Sequence, residues 1–124
     1  SICPQSKPAA LSVCRVVNLE REMPSVDEAR RRLNTAIADA KKSGVAVLKV
    51  IHGYGSSGVG GALRDKLRAS LRHRRKEGIV REIIHGEKWE VFDERTRTLL
   101  DEFPDLGRDA DLNRSNEGIT VVVL

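Results

Sequence analysis

Aromatic side chains are scarce in this chain: one Trp, one Tyr and two Phe among 124 residues. That scarcity argues against a sheet surface carrying several stacking rings for single strands, so any nucleic-acid contact would fall to the phosphate backbone. Cysteine is equally thin. Cys3 and Cys14 are too few for a disulfide framework, and their spacing fits no zinc pattern; both read as reduced thiols. No apolar run approaches the roughly 20 residues needed to cross a bilayer. The N-terminus also lacks the charged-then-apolar order of a secretory signal. These absences point to a cytoplasmic protein with no membrane partner. The first residue is Ser1, which leaves room for a larger parent protein.

Acidic charge falls short of basic charge. There are 22 Lys and Arg against 18 Asp and Glu, a net charge of +4, and the excess is concentrated. Arg64, Lys66, Arg68, Arg72, Arg74, Arg75, Lys76 and Arg81 follow one another, opposed only by Asp65 and Glu77. Clustered positive charge is the footprint of a polyanion partner, DNA or RNA in duplex or structured form. The plainer alternative is a solvated helix face. At 13.7 kDa the chain is one domain, with enough surface to bury for a single core.

Hydrophobic periodicity lays out the elements. Residues 1–12 show little period and read as an extended lead-in, and Val13 to Leu19 reads as a strand. Ser25-Val26-Asp27-Glu28 is a capping box, in which Ser25 and Glu28 would each satisfy a free N–H at a helix start. The helix is predicted over about 26–43, with Val26, Ala29, Leu33, Ala36, Ile37 and Ala40 on one stripe. Val45 to Ile51, nearly all apolar, reads as a strand central to a sheet. A basic helix follows from about Ala62 to Lys76, anchored by Leu63, Leu67 and Leu71. Ile79 to Ile84 reads as a third strand. Its end, Ile84-His85-Gly86, repeats Ile51-His52-Gly53. Asp93 to Phe103 is expected as a short helix with Phe92, Leu99 and Phe103 inward, while Trp89 and Phe92 pack this stretch onto the core. Residues 105–117 read as loop, and 118–124 as the last strand. The order gives an α/β two-layer pattern with parallel crossovers. Parallel strands end on one edge, so His52, His85 and the residues after Leu19 are expected to share a rim.

The glycine-dense loop at that rim carries the chemistry. His52, Gly53, Tyr54, Gly55, Ser56, Ser57, Gly58, Gly60 and Gly61 lead directly into Arg64. Glycine permits close approach of the backbone to a ligand, and a helix N-terminus offers free N–H groups and partial positive charge to an anion. A long glycine turn capping an ordinary helix is the alternative. Residues 53–58 also spell Gly-x-Gly-x-x-Gly, but Val59-Gly60-Gly61 intervenes before the expected helix, and Val59 stands where a Walker loop needs lysine. Tyr54, between glycines, is expected to stack on a base or to shield the loop. His73, among arginines, belongs with the basic face.

Ser25-Val26-Asp27-Glu28-Ala29, Ile51-His52-Gly53-Tyr54-Gly55, the loop into Ala62-Leu63-Arg64, and Gly118-Ile119-Thr120-Val121-Val122 occur in the order and spacing of a small MutS-related (Smr) domain, which residues 13–124 resemble. The resemblance implies a two-layer mixed four-stranded sheet with two main helices, βαβαββ, as in the C-terminal domain of translation initiation factor three. Here a short inserted helix is added, within an insertion at about 86–117. It implies nucleic-acid binding, in DNA repair or recombination or in RNA or ribosome quality control, with nicking of DNA or cleavage of RNA in some members. Nuclease members usually carry Asp-x-His as the first strand ends. This chain has Asn18-Leu19-Glu20.

Phosphodiester cleavage needs a group that activates water and another that stabilises developing charge. Glu20, His52 and His85 are the catalytic candidates, and Arg64 and the loop N–H groups are the charge stabilisers. Glu20 alone makes a poor site for a divalent metal, although Glu22 or Glu87 could assist. No metal site and no cofactor are therefore expected, magnesium or manganese entering only if the protein is a nuclease. The leading expectation is phosphate-backbone binding by the loop and a face bearing Arg64, Arg68, Arg72 and Arg75. A metal-assisted endonuclease using Glu20 and His52 is the first alternative, and a nucleotide- or protein-binding module the second.

Overall fold

Residues 14–19, 25–53 and 59–124 are described by the computed structural model, with backbone alone at 59–63. Strand β1 is Cys14–Asn18 and helix α1 is Val26–Lys42. The N-cap of α1 forms as expected, Ser25 Oγ accepting from the Glu28 amide at 3.2 Å. The reciprocal half of the box is not used this way, because Arg31 and Arg32 take the Glu28 carboxylate. Asp27 and Glu28 in the first turn and Lys41 and Lys42 in the last complement the helix dipole. Gly44, at φ +77°, turns the chain out of the helix. The buried stripe is Ala29, Leu33, Ile37 and Ala40.

Strand β2, Val47–Ile51, is followed by helix α2, Val59–Lys76, and strand β3, Glu82–His85. Gly78 sits at φ +79°, and residues 79–81 remain outside the ladder. The third strand therefore starts three residues later than the apolar run suggested. A 3₁₀ turn at Gly86–Lys88, helix α3 at Glu94–Glu102 and a second 3₁₀ turn at Pro104–Arg108 precede β4, Ile119–Val123. The sheet order is β1-β2-β4-β3. β2 runs parallel to β1, while β4 is antiparallel to both β2 and β3. The fold class is the expected mixed α/β one, and the three strands that run together end on one edge.

Each face of the sheet has its own core. Leu48, Val50, Ile83 and Val122 meet Leu33 and Ile37 of α1 and Leu67 and Leu71 of α2. On the opposite face Val47, Ile84, Ile119, Val121 and Val123 meet Trp89, Leu99 and Leu106. The segment between β3 and β4 thus forms a further layer over the sheet. Phe92 does not join it: 86% of the residue is exposed, contrary to expectation, while Trp89 is buried.

A polar clamp holds that layer down. Lys49, buried in central β2, pairs with Asp109 at 3.0 Å and with Asp111. Trp89 Nε1 donates to the same Asp109 carboxylate at 3.0 Å. Burial alone would push the lysine pKa down, but the two aspartates outweigh it and the net shift is upward. At the ends of the segment, Gly86 lies so close to β4 that a Cβ there would stand 1.8 Å from the Asn116 carbonyl oxygen.

Candidate functional site

The rim is built where β2 and β3 end and β4 begins. Both the His52 and Gly53 amides donate to the Gly118 carbonyl, at 2.9 and 3.0 Å. Gly53 takes φ +77°, a conformation that favours glycine, and its carbonyl lies 2.8 Å from His52 Nδ1. A carbonyl only accepts, so Nδ1 carries the proton. His52 Nε2, 2.8 Å from Thr120 Oγ1, then accepts from the threonine hydroxyl. The same hydroxyl accepts from Arg68 Nε at 3.1 Å, which uses it in both directions. Burial, opposed by the Gly53 hydrogen bond and reinforced by Arg68 and Arg64, pushes the His52 pKa down to about 4. The ring is neutral at physiological pH and has no face to solvent.

Arg68 corrects the expectation of an open basic face. It is 6% exposed. Its guanidinium holds Glu87 at 2.8 and 3.1 Å and donates to the carbonyls of Ile119 at 3.0 Å and Glu117 at 3.3 Å. A continuous path therefore runs from Glu87 through Arg68 and Thr120 to His52 and Gly53. Burial would raise the Glu87 pKa, but Arg68 wins and keeps it ionised. This network fixes α2, the start of β4 and the root of the glycine loop relative to one another. Arg68 and His52 are both buried within this network, which ends at Gly53.

The remaining candidates divide. Arg64, part-exposed at the rim, pairs with Glu117 at 3.1 Å and Asp65 at 3.4 Å. Arg75 pairs with Glu82 at 3.0 Å. Arg72 is exposed and has neither an ion pair nor a hydrogen bond among the described residues. His85 is half-buried at the end of β3, opposite Thr120 in the ladder. Gly60 and Gly61 belong to the first turn of α2, which begins at Val59. Glu20, Tyr54, Gly55, Ser56, Ser57 and Gly58 lie outside the described residues, as does the 1–12 lead-in.

Sequence reasoning left out Thr120 and Glu117, and gave Glu87 only an auxiliary part. Thr120 carried a signal, being the one hydroxyl in the apolar run Ile119-Thr120-Val121-Val122-Val123. Among the described residues, no group of three or more His, Cys, Asp or Glu is placed to hold a metal ion. Nor is any described helix long and apolar enough to cross a membrane.

A four-stranded mixed sheet with two helices on one face, and with His52 and Gly53 at the rim where β2 ends, defines a class of small α/β domain. Residues 21–82, half of the chain, match the family model of the Smr domain, and the chain belongs to that family. The crystal structure of the Smr domain of Thermus thermophilus MutS2 is similar, with a TM-score of 0.55 and 23% identity. The similarity covers 89% of this chain and 96% of that one, and establishes the shared fold. No curated protein sequence matches the chain significantly.

Proposed function

We propose that this Smr domain binds nucleic acid through its phosphate backbone, using the glycine loop and the exposed cations of α2. The family is one known for nucleic-acid binding and nuclease activity. The observation that carries the reading is the placement of α2. Its first turn opens at the sheet rim, and its exposed Lys66, Arg72 and Lys76 have no carboxylate partners among the described residues. A helix start with free N–H groups followed by unpaired cations suits a chain of phosphates. Arg64 contributes after exchanging Glu117 and Asp65 for phosphate, and Arg68 contributes by holding the loop root.

An endonuclease built on Glu20 and His52 draws less support, because both His52 nitrogens are already engaged in a dry setting. The test is charge reversal. Arg72→Glu and Arg64→Glu should each weaken binding of a fluorescent 20-base-pair duplex or a structured RNA, with Arg72→Glu the more damaging because its cation has no partner to lose. Unchanged affinity in both variants, with folding intact by circular dichroism, would refute the proposed surface.

A further inference from the structure

Along α2 four arginines recur at Arg64, Arg68, Arg72 and Arg75, spacings of four, four and three that place them on one side of the helix. Three have carboxylates: Arg64 has Glu117, Arg68 has Glu87, and Arg75 has Glu82. Arg72 is the member of this row without one among the described residues. Its level along the sheet is fixed by its neighbours. Arg68 reaches Thr120 and Arg75 reaches Glu82, so Arg72 stands over the stretch of β3 between those levels, which ends in His85.

The side of the sheet that His85 faces also follows from the ladder. Ile83 packs in the core beneath α1 and α2, and side chains alternate along a strand, so His85 points to that same side. Thr120 is its cross-strand partner and faces the same way, as its contact with Arg68 requires. His85 is half-buried, yet its ring makes no hydrogen bond to any described residue. The charges that act on it are those of Arg68 and Arg72 of α2, Glu87 of the 3₁₀ turn and Arg95 of α3.

We infer that His85 and Arg72 together form a subsite for one phosphoryl group, occupied by a phosphodiester of the bound strand. The inference rests on the nucleic-acid reading for its occupant, but not for its chemistry. A guanidinium supplies charge and a planar pair of donors, and an imidazole supplies one further N–H. Arg68 cannot compete for the anion because Glu87, the Thr120 hydroxyl and the carbonyls of Glu117 and Ile119 use its donors. Burial, followed by Arg68 and Arg72, opposed by Glu87 and joined by Arg95, lowers the His85 pKa. The free protein therefore holds this ring neutral near neutral pH. An arriving phosphate adds negative charge beside it and favours the imidazolium, so occupancy and protonation are coupled.

The experiment titrates inorganic phosphate into the wild-type domain and into Arg72→Ala, reading the His85 ring resonances by NMR across pH. Duplex affinity is measured in parallel. Expected is an upward movement of the His85 titration with phosphate in the wild type, lost in Arg72→Ala. A rise of half a pKa unit corresponds to about threefold tighter anion binding on the acid side. If the duplex binds but the His85 ring ignores phosphate, the subsite is overturned and the nucleic-acid reading stands. If phosphate moves His85 equally in Arg72→Ala, the pairing of the two residues is overturned. If no duplex binds but phosphate still moves His85 through Arg72, the subsite stands and its assigned occupant falls. Arg72 is exposed, so the alanine variant leaves the core untouched.

Discussion

Replacing Arg68 with methionine removes five hydrogen bonds while preserving much of the aliphatic stem. The consequences differ by partner. Glu87 keeps 33% of its side chain exposed and rehydrates in part, whereas Thr120 is fully buried and loses a donor it cannot replace. Breaking a buried ion pair by deleting one member costs about 3–5 kcal/mol. The partial exposure of Glu87 places this case at the lower end, about 3 kcal/mol, or a fall of about 10 °C in melting temperature for a domain of this length. Urea unfolding followed by circular dichroism measures the loss directly. Adding Glu87→Met to Arg68→Met should restore part of it, because the stranded carboxylate is then gone, and the double-mutant cycle should show strong coupling. A loss below about 1 kcal/mol in the single variant, or simple additivity in the double, would refute the reading of Arg68 as the pin of the rim.

Stability should fall on mild acidification because of His52. Its native pKa of about 4 lies below the ordinary 6.5, so the unfolded chain takes up the proton first as pH drops. The contribution is complete above 6.5 and lost progressively toward 4, about 3 kcal/mol in all. The urea midpoint should therefore drop between pH 7 and pH 5, and His52→Gln should flatten that slope; an equally steep slope in the variant would assign it elsewhere. Gly86→Ala should cost about 3 kcal/mol, the upper end for overpacking, because the new Cβ meets the Asn116 carbonyl oxygen rather than a movable side chain. A thermal melt within a few degrees of wild type would show that the β3–β4 junction yields more readily than its geometry indicates.

Local patterns carried much of the fold. Ser25 stands at the N-cap, the stripe from Ala29 to Ala40 is buried, and the apolar run before His52 is a central strand. These follow from contacts close in sequence, where period and capping chemistry act. The site was harder to read for a physical reason. Arg68 sits at the same helical spacing as Arg64 and Arg72 and looks like one more solvated cation. Its burial depends on Thr120 and Glu87, partners 52 and 19 residues away. Lys49 is similar: a lysine within an apolar strand carries no local sign that Asp109 and Asp111 will cover it. Phe92 erred the other way, since its neighbours in the turn leave it exposed while Trp89 fills the core. His52 was legible as a rim residue, but the hydrogen bonds that occupy both its nitrogens were not.

The central claim is that α2 and the glycine loop meet a polyanion through phosphate contacts. Fluorescence anisotropy of a labelled duplex, measured from low to moderate salt in wild type and Arg72→Ala, tests it most directly. The logarithm of affinity should fall linearly with the logarithm of salt concentration, and the slope should shrink by about one on removing Arg72. An affinity that barely responds to salt, or a slope indifferent to Arg72, would contradict it.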